Sequence, residues 1–531
     1  MIRNLQSETL IKLLFVALAT FLGFLILIVL GEKTYVTWAH TGIWHTADDH
    51  MITQRVAYNI WHFGQPYYNM NEPVAANTSL FWPYILSPIY SIFDNRTAIP
   101  VLIVLSTLMY SITIGVTITK APDIKSAALI SGALIFLPTS RIYSTTGWEH
   151  IPQSLFFTLA GVLMLTGTKK GQTSVPTLSL ALMSLSFLMR PDTAIAAVIP
   201  GLVWLSETIH LKRYNRLIWL VIFLSAPVAY LFLMHFHYGT FSPNTANLKL
   251  NFGINAIISG IIYSFNPFAA GPVPYIVLLL VFFWQHLVKA EKIIVASMLL
   301  FLAYVCVVGG DAFGAGRFFL FLLPSASLVL ALLVHRQFPT WKKCIGAVAA
   351  FVVLLLNAPA IIQAGIREEL PFAGHADSID SLSDRIRISQ IINSRINPSD
   401  GSIGLHWLGV GYHMPRFHIV DFLGKAEPKI AQMVPIAGLR VGHNKFDYAY
   451  AFSRYNIAAF PIDEYACRTA EERISEASSP NTLDYYVLAC FEALSSRRYT
   501  FIRPQELGIA GQIGLAVRND LTDRFRQGDL P

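Results

Sequence analysis

Residues 11–30 read IKLLFVALATFLGFLILIVL, an almost unbroken apolar run that is long enough to cross a bilayer as a helix. A basic segment precedes it, and the polar Gly31-Glu32-Lys33 follows without a small-residue cleavage site, so we interpret the run as a retained anchor. The whole chain has this character, with 54% hydrophobic and 13% charged residues and a mean hydropathy of +0.50 over 531 residues. The sequence therefore predicts a polytopic α-helical membrane protein.

Apolar runs of similar length recur along the first two thirds of the chain, and we predict about eleven transmembrane helices of about 20 residues each. The runs lie near residues 11–30, 98–119, 126–140, 150–167, 175–189, 192–209, 216–235, 271–288, 291–308, 317–334 and 343–362. Two shorter apolar stretches, near 79–93 and 254–268, contain Pro or polar residues. We predict that these two lie along the outer membrane surface.

Basic residues determine the predicted orientation, because Lys and Arg collect on the cytoplasmic side of membrane spans. With the two short stretches left out of the count, every basic cluster falls on the side of the N-terminus. The clusters are Lys120 and Lys125; Lys169 and Lys170; Lys212, Arg213 and Arg216; Lys289 and Lys292; and Arg336, Lys342 and Lys343. We therefore expect a bacterial inner-membrane protein with a cytoplasmic N-terminus and an outer C-terminus. The net charge of +7 belongs to these loops and does not indicate nucleic-acid binding.

After about residue 363 the apolar density falls, and short β-rich runs alternate with charged helical stretches. The runs are GSIGLHWLG (401–409), RFHIVDFLG (416–424), YNIAAF (455–460), YYVLACFE (485–492) and IGLAVRND (513–520). The predicted domains are thus a transmembrane domain, 1–362, with an outer loop at 31–97, and an extracytoplasmic α/β domain, 363–531. Whether Cys467 and Cys490 form a disulfide depends on that location.

The first predicted outer loop contains TADDHMITQRVAYN (46–59), in which Asp48 and Asp49 allow two interpretations. Acids at the start of a helix stabilise its N-terminus. Alternatively, a carboxylate near the bilayer surface acts as a general base, with Asp48 or Asp49 holding a divalent cation if one is used. The other outer loops are acidic, aromatic and rich in Gly or Pro, which is typical of a site. They are RIYSTTGWEH (141–150), RPD (190–192), HYGTFSPNTANLK (237–249) and GGDAFGAGR (309–317).

Five ordered motifs resemble the terminal β-(1→2)-arabinofuranosyltransferase group of the GT-C glycosyltransferase superfamily, and together they cover most of the chain. The first is the DD pair with Arg55 seven residues after Asp48, followed by Gly64, Asn69, Glu72, Asn77, Thr78 and Trp82. The others are MRPD (189–192), HYGTFSPNTANLK, GGDAFGAGRFFLFLLP (309–324), and VDFLGKAEPKIA (420–431) with GHNKF (442–446).

The resemblance implies a GT-C fold and inverting transfer of a pentofuranose, arabinofuranose in that group, to an extracytoplasmic glycan or surface-protein acceptor. The implied donor is a decaprenyl or undecaprenyl phosphate sugar in the lipid bilayer. Asp48 is then the general base and Asp49 positions it or holds the acceptor, because the acceptor hydroxyl must lose a proton as it attacks. A phosphate leaving group calls for cationic or N–H donors beside it. The candidate substrate-binding residues are Arg55, Arg190, Asn244, Lys249, Asp311, Arg317, His443 and Lys445.

Two positions depart from the pattern of that group. His50 and Met51 follow the DD pair where the group has an aromatic residue, and GKAEP (424–428) stands in place of a GL.D motif. We interpret the second departure as a matter of acceptor choice. Two other functions remain open. A transporter or flippase of lipid-linked sugars would carry charges near the middle of its spans, and an inactive envelope scaffold would keep the fold without a base.

Overall fold

The computed structural model describes residues 2–30, 38–39, 41–166, 174–249, 253–311, 313–337, 379–436, 439, 442–476 and 484–526. The part before residue 338 is helical. Its longer helices are Ile2–Leu30, Asp48–Phe63, Ala98–Ile118, Ile124–Phe136, His150–Thr166, Thr177–Met189, Thr193–His210, Trp219–Tyr238, Ile254–Ser264, Val273–Phe282, Lys289–Val307 and Leu323–Gln337. Each predicted span up to residue 334 overlaps one of these helices. The last predicted span, 343–362, and the predicted domain boundary lie outside the described residues.

Four helices among the described residues are long and apolar enough to cross a membrane: Ala98–Ile118, Thr193–His210, Tyr214–Tyr238 and Lys289–Val307. Large apolar side chains on the third of them, such as Val221 and Phe232, are exposed, as a lipid-facing surface requires. These helices agree with the prediction of a polytopic helical membrane protein. The number of eleven transmembrane helices stays a prediction.

The two short apolar stretches are also helical. The first forms the helix Trp82–Leu86 and the 3-10 helix Ser87–Ser91, and the second forms Ile254–Ser264. A proline stands at the start of both elements of the first stretch, where its missing N–H costs no helical hydrogen bond. Their position along the membrane surface remains a prediction.

The C-terminal part is built on a five-stranded mixed sheet with the strand order β2-β1-β3-β5-β4. The strands are β1 Ser402–Leu405, β2 Ile419–Asp421, β3 Ile457–Asp463, β4 Tyr499–Ile502 and β5 Ile513–Arg518. Strand β1 is parallel to β2 and β3, whereas β5 is antiparallel to β3 and β4. Helices flank the sheet: Ile379–Arg395, Pro428–Ala431, Tyr448–Arg454, Glu464–Ser475, Tyr485–Ser495 and Asp523–Arg526.

Four of the five predicted β-rich runs contain these strands, but the prediction for YYVLACFE is wrong. It lies in the helix Tyr485–Ser495, which begins after Asp484, whose carboxylate accepts a hydrogen bond from the Val487 N–H. Val487, Cys490 and Ala493 are buried at a spacing of three, which is the periodicity of a helix face.

The sheet and the first outer loop share one hydrophobic core. Ile52 and Val56, on the helix Asp48–Phe63, pack with Leu405, Val410 and Phe417 from β1 and the loops that follow it. This contact brings the loops that follow β1 and β2 against the first turn of the helix Asp48–Phe63.

A disulfide joins Cys467 and Cys490, whose Cα atoms are 5.3 Å apart, and so links the helices Glu464–Ser475 and Tyr485–Ser495. Replacing both cysteines by serine is expected to lower the stability of this domain by ~2–4 kcal/mol, since the cross-link restricts the unfolded chain. The melting temperature of the purified protein, with and without reductant, measures this. Cys306→Ser, which removes a free thiol, is the control and is expected to leave it unchanged. An equal melting temperature for the double variant would contradict the structural role.

Candidate active site

Polar side chains from several distant segments converge on one cavity between the predicted outer loops and the C-terminal domain. It contains about 610 Å³ of empty space, including the part open to solvent. The lining residues are Asp49, Ile52, Thr53, Ala76, Asn77, Thr78, Glu149, Arg190, Thr245, Leu248, Phe313, Arg317, Lys425, Gly442 and His443. Four predicted site residues are therefore brought together: Asp49, Arg190, Arg317 and His443.

The two aspartates open the helix Asp48–Phe63 but do not cap it. The preceding residue is Ala47, and no side chain caps the helix, which ends at Gly64 in the left-handed conformation (φ 67°). Asp48 accepts a hydrogen bond from the Gly409 N–H at 2.6 Å instead. Its side chain is 5% exposed, whereas that of Asp49 is 28% exposed. The structure thus places Asp49, and not Asp48, at the wall of the cavity.

Arg317 connects Asp49 to a buried carboxylate. Its Nε and Nη2 donate to Asp311 at 2.7 and 2.6 Å, and its Nη1 donates to Asp49 Oδ2 at 2.7 Å. The guanidinium lies 4.9 Å from the ring of Trp148 and 4.0 Å from that of Phe313. Two-pronged pairing together with aromatic contact holds the cation in one orientation.

Arg190 forms a second fixed cation on the same wall. It donates to Glu149 at 2.9 Å through Nη1 and to Asp192 at 2.7 Å through Nη2. Asp192 directly precedes the helix Thr193–His210, yet its carboxylate makes no cap and pairs with Arg190 and with Gln153. Asp192 therefore belongs to the ion-pair network of Arg190 and does not cap the helix that follows it.

Lys425 comes from the C-terminal domain and lies between the two aspartates. Its Nζ is 3.0 Å from Asp48 Oδ2 and 2.8 Å from Asp49 Oδ1. Burial works to lower the pKa of Lys425, but Asp49 and Asp48 outweigh it and hold that pKa above its ordinary value. Lys425 is therefore a permanent cation at neutral pH.

Three predicted substrate-binding residues, Arg55, Asn244 and Lys445, donate to backbone carbonyl groups and do not line the cavity. Arg55 is buried and donates to the carbonyl groups of Tyr68, Gly411, Met414 and Phe417.

Lys445 Nζ donates to the carbonyl groups of Asn247 and Ala431 at 3.0 and 2.8 Å. The amide of Asn244 donates to the carbonyl groups of Gly424 and Lys425 at 2.7 and 3.0 Å, and so positions the segment that carries the bridging lysine. The side chain of Lys249 lies outside the described residues.

His50, where the sequence departs from the family pattern, is also outside the cavity. Its ring accepts or donates hydrogen bonds with Thr46 at 2.7 Å and with Gln54 at 2.7 Å, and it is fully buried. Burial lowers the pKa of His50 to about 3, so the ring is neutral at physiological pH. The residue therefore supports the helix start and does not contact a bound molecule in the cavity.

The aspartate pair does not fit a divalent cation in this arrangement. The ammonium of Lys425 already stands between the two carboxylates, and Arg317 takes the remaining oxygen of Asp49. Among the described residues, no group of three or more His, Cys, Asp or Glu side chains is placed to hold a metal ion.

Two charged residues of the cavity, Glu149 and Lys425, were not among the predicted site residues. Glu149 lies in RIYSTTGWEH, an outer loop whose composition indicated a site without singling out the acid. Lys425 lies in GKAEP, the stretch that we interpret from the sequence as a matter of acceptor choice. The sequence signal for a site residue there is a lysine at a position where the family pattern has an apolar residue.

Comparison with known proteins supports the resemblance found in the motifs. No protein-family model matches the chain. A terminal β-(1→2)-arabinofuranosyltransferase of Mycobacterium tuberculosis is 29% identical over 227 residues, which is 38% of this chain and 34% of that protein. The match thus covers about a third of the relative's length and confirms the resemblance to that group.

Solved membrane structures align over most of the chain at low identity. ArnT from Cupriavidus metallidurans, bound to undecaprenyl phosphate, aligns with a TM-score of 0.44 and 15% identity, over 93% of this chain and 97% of that one. The oligosaccharyltransferase of Archaeoglobus fulgidus aligns with a TM-score of 0.48 and 13% identity, over 92% and 72%.

Proposed function

We propose that this chain is an inverting GT-C glycosyltransferase of the bacterial cytoplasmic membrane. It transfers a pentofuranose, with arabinofuranose as the first candidate, from polyprenyl phosphate to a glycan or surface protein outside the cytoplasm. The observation that carries the proposal is the cavity in which Asp49 faces solvent beside Arg190, Arg317 and Lys425. The match to a terminal arabinofuranosyltransferase supports the choice of sugar.

In this mechanism Asp49 is the general base, and this revises the sequence-based assignment of that role to Asp48. Both aspartates have both oxygens engaged, but the side chain of Asp48 is only 5% exposed and receives the buried Gly409 N–H, whereas that of Asp49 is 28% exposed. A base must come within hydrogen-bonding distance of the acceptor hydroxyl, and Asp49 is the aspartate that lines the cavity. Asp48 then positions Lys425 and anchors the loop of Gly409.

The chemical step requires opposite charges on the two sides of the anomeric carbon. The acceptor oxygen attacks that carbon, its proton passes to Asp49, and the bond to the phosphate oxygen breaks. Polyprenyl phosphate leaves with the bonding electron pair, and the growing negative charge on its oxygen is stabilised by cations already in place. Arg190, Arg317 and Lys425, which line the same cavity as Asp49, supply that charge.

The disulfide supports an extracytoplasmic position for the C-terminal domain, because disulfides persist in oxidising compartments. The same orientation follows from the basic clusters of the loops. The cavity between the outer loops and this domain would then open at the outer membrane surface, where a polyprenyl-linked donor and an envelope acceptor can both reach it.

The direct test incubates the purified protein with radiolabelled polyprenyl-phosphate arabinofuranose and envelope fractions from its host. We expect label to move from the lipid into one fraction, and digestion with protease or glycosidase then separates a protein acceptor from a glycan. Label that remains on the lipid with every fraction would contradict the proposal. A flippase would instead move intact donor across a proteoliposome membrane without transfer of the sugar.

Arg317→Lys is expected to lower the rate of sugar transfer ~100-fold, because a lysine cannot keep two hydrogen bonds to Asp311 and one to Asp49 at once. Initial rates of label transfer measure this. Arg336→Lys is the matched control, since Arg336 makes a similar two-pronged pair with Glu291 on the predicted cytoplasmic side. A wild-type rate in Arg317→Lys would remove Arg317 from the proposed site.

A further inference from the structure

The cation between the two aspartates is delivered by a loop whose backbone is fixed on both sides. Asp421 Oδ1 accepts from the Leu423 N–H at 2.9 Å, and Asp421 Oδ2 accepts from the Ala426 N–H at 2.6 Å. Asn244 holds the carbonyl groups of Gly424 and Lys425. Movement of the lysine charge therefore takes place by rotation of its four-carbon side chain and does not require the loop to move.

Gly424 contributes to this fixed geometry. Its φ is +86°, a conformation that favours glycine, and a Cβ atom there would come within 2.9 Å of Ile430 and 3.0 Å of the Ala431 N. The turn directly before Lys425 is thus defined by the chain itself.

The other two cations of the cavity are held differently from Lys425. Arg317 and Arg190 each bind one carboxylate through two nitrogen atoms and a second carboxylate through a third. Their planar groups also contact aromatic rings. Lys425 makes single contacts to Asp48 and Asp49 from the end of a flexible stem, so its charge is the easier one to redirect.

The charge balance of the network makes such a movement a condition for the binding of an anion. The cations Arg190, Arg317 and Lys425 are paired with more carboxylates than there are cations: Asp48, Asp49, Glu149, Asp192 and Asp311. A phosphate brings a further negative charge into this partly buried network. Its binding is favourable when a cation turns from a carboxylate toward the phosphate oxygens.

We propose that Lys425 is a donor-controlled switch of the base. Without donor, its ammonium group is bound to Asp48 and Asp49. The phosphate of the donor draws the ammonium away, which leaves Asp49 able to accept the acceptor's proton only when the phosphate group of the donor is bound. The inference rests on the proposed function and adds to it the residue that couples donor binding to activation of the base. Lys425 belongs to GKAEP, where the sequence departs from the family pattern. The inference therefore relates this departure to the donor and not to the acceptor.

The test measures binding of undecaprenyl phosphate without a sugar to the full-length protein, by microscale thermophoresis in detergent. Lys425→Met is expected to weaken binding ~10- to 100-fold, the loss typical of a charge-assisted hydrogen bond. Asp49→Asn is expected to tighten binding, because it removes a group that competes with the phosphate for Lys425. In the double variant this tightening should largely disappear, which gives a coupling between positions 49 and 425.

Controls separate the switch from a structural role. Lys429→Met removes an exposed lysine of the same segment, whose ammonium lies over the Tyr450 ring 3.7 Å from its centroid, and should bind like wild type. Lys425→Arg should keep most of the affinity, and size-exclusion profiles check that each variant is folded.

Two outcomes would overturn the inference. The first is that Asp49→Asn tightens the binding of undecaprenyl phosphate equally with and without Lys425, or that Lys425→Met binds with full affinity. Either result would refute the switch and leave the proposed function in place. If the folded wild-type protein does not bind undecaprenyl phosphate, the proposed function fails and the switch fails with it.

Discussion

Replacing Asp49 by asparagine is expected to lower the rate of sugar transfer ~10²- to 10⁴-fold, the usual contribution of a general base. The amide keeps the size of the side chain and accepts a hydrogen bond from Arg317 through its oxygen, but it cannot take the acceptor's proton. Donor binding should survive, because Arg190 and Lys425 remain in the cavity wall. Single-turnover transfer of labelled sugar measures the chemical step apart from binding.

Asp48→Asn is the informative comparison for this result. Asp48 is buried and receives the Gly409 N–H, so its replacement should disturb the position of Lys425 and of the loop at Gly409 without removing the base. We expect a smaller fall in rate than for Asp49→Asn. Asp94→Asn, at an exposed turn where the carboxylate accepts from Thr97, controls for the loss of a surface acid. The reverse order of the two aspartate variants would return the role of base to Asp48.

Local patterns in the sequence were sufficient for the parts of the site that depend on chain neighbours. The helix that begins at Asp48 follows from two acids in a first turn and a glycine at the far end. The apolar runs gave the positions of most of the described helices, and short β-rich runs gave four of the strands. Motif order indicated that Arg190 and Arg317 belong to one site.

These local patterns do not predict contacts between segments that are distant in the chain. Lys425 is more than 370 residues from the aspartates it bridges, and only the docking of the sheet on the outer helix brings them together. Strand β4, Tyr499–Ile502, was missed because four residues carry little periodicity, and its pairing with β5 supplies the stabilisation. The two aspartates also differ in burial, and this difference cannot be predicted from two identical neighbouring residues in the sequence.

Arg55 is the residue for which motif and structure differ most, and Arg55→Met is expected to destabilise the protein strongly. As a substrate ligand, Arg55 could be replaced with loss of donor binding and an intact fold. In the structure Arg55 is 2% exposed, and its guanidinium donates to the carbonyl groups of Tyr68, Gly411, Met414 and Phe417. Methionine fills much of the volume but donates no hydrogen bond. The first three carbonyls keep one other donor, so the loss comes from four charge-assisted hydrogen bonds, each worth ~1.5–3 kcal/mol, together with the buried Phe417 carbonyl.

The expected loss for Arg55→Met is at least ~3 kcal/mol, a large part of the ~5–15 kcal/mol that stabilises a typical domain. It should appear as a lower melting temperature and as faster proteolysis of the C-terminal domain. Arg416→Met is the matched control, since Arg416 lies in the same segment as the Met414 and Phe417 carbonyl groups but is exposed and donates to the Asn393 carbonyl. The 3-10 helix Leu408–His413 contains both Gly411, which Arg55 holds, and Gly409, which binds Asp48. Loss of Arg55 should therefore also reduce transfer, and a variant with wild-type stability but weak donor binding would restore Arg55 to the substrate site.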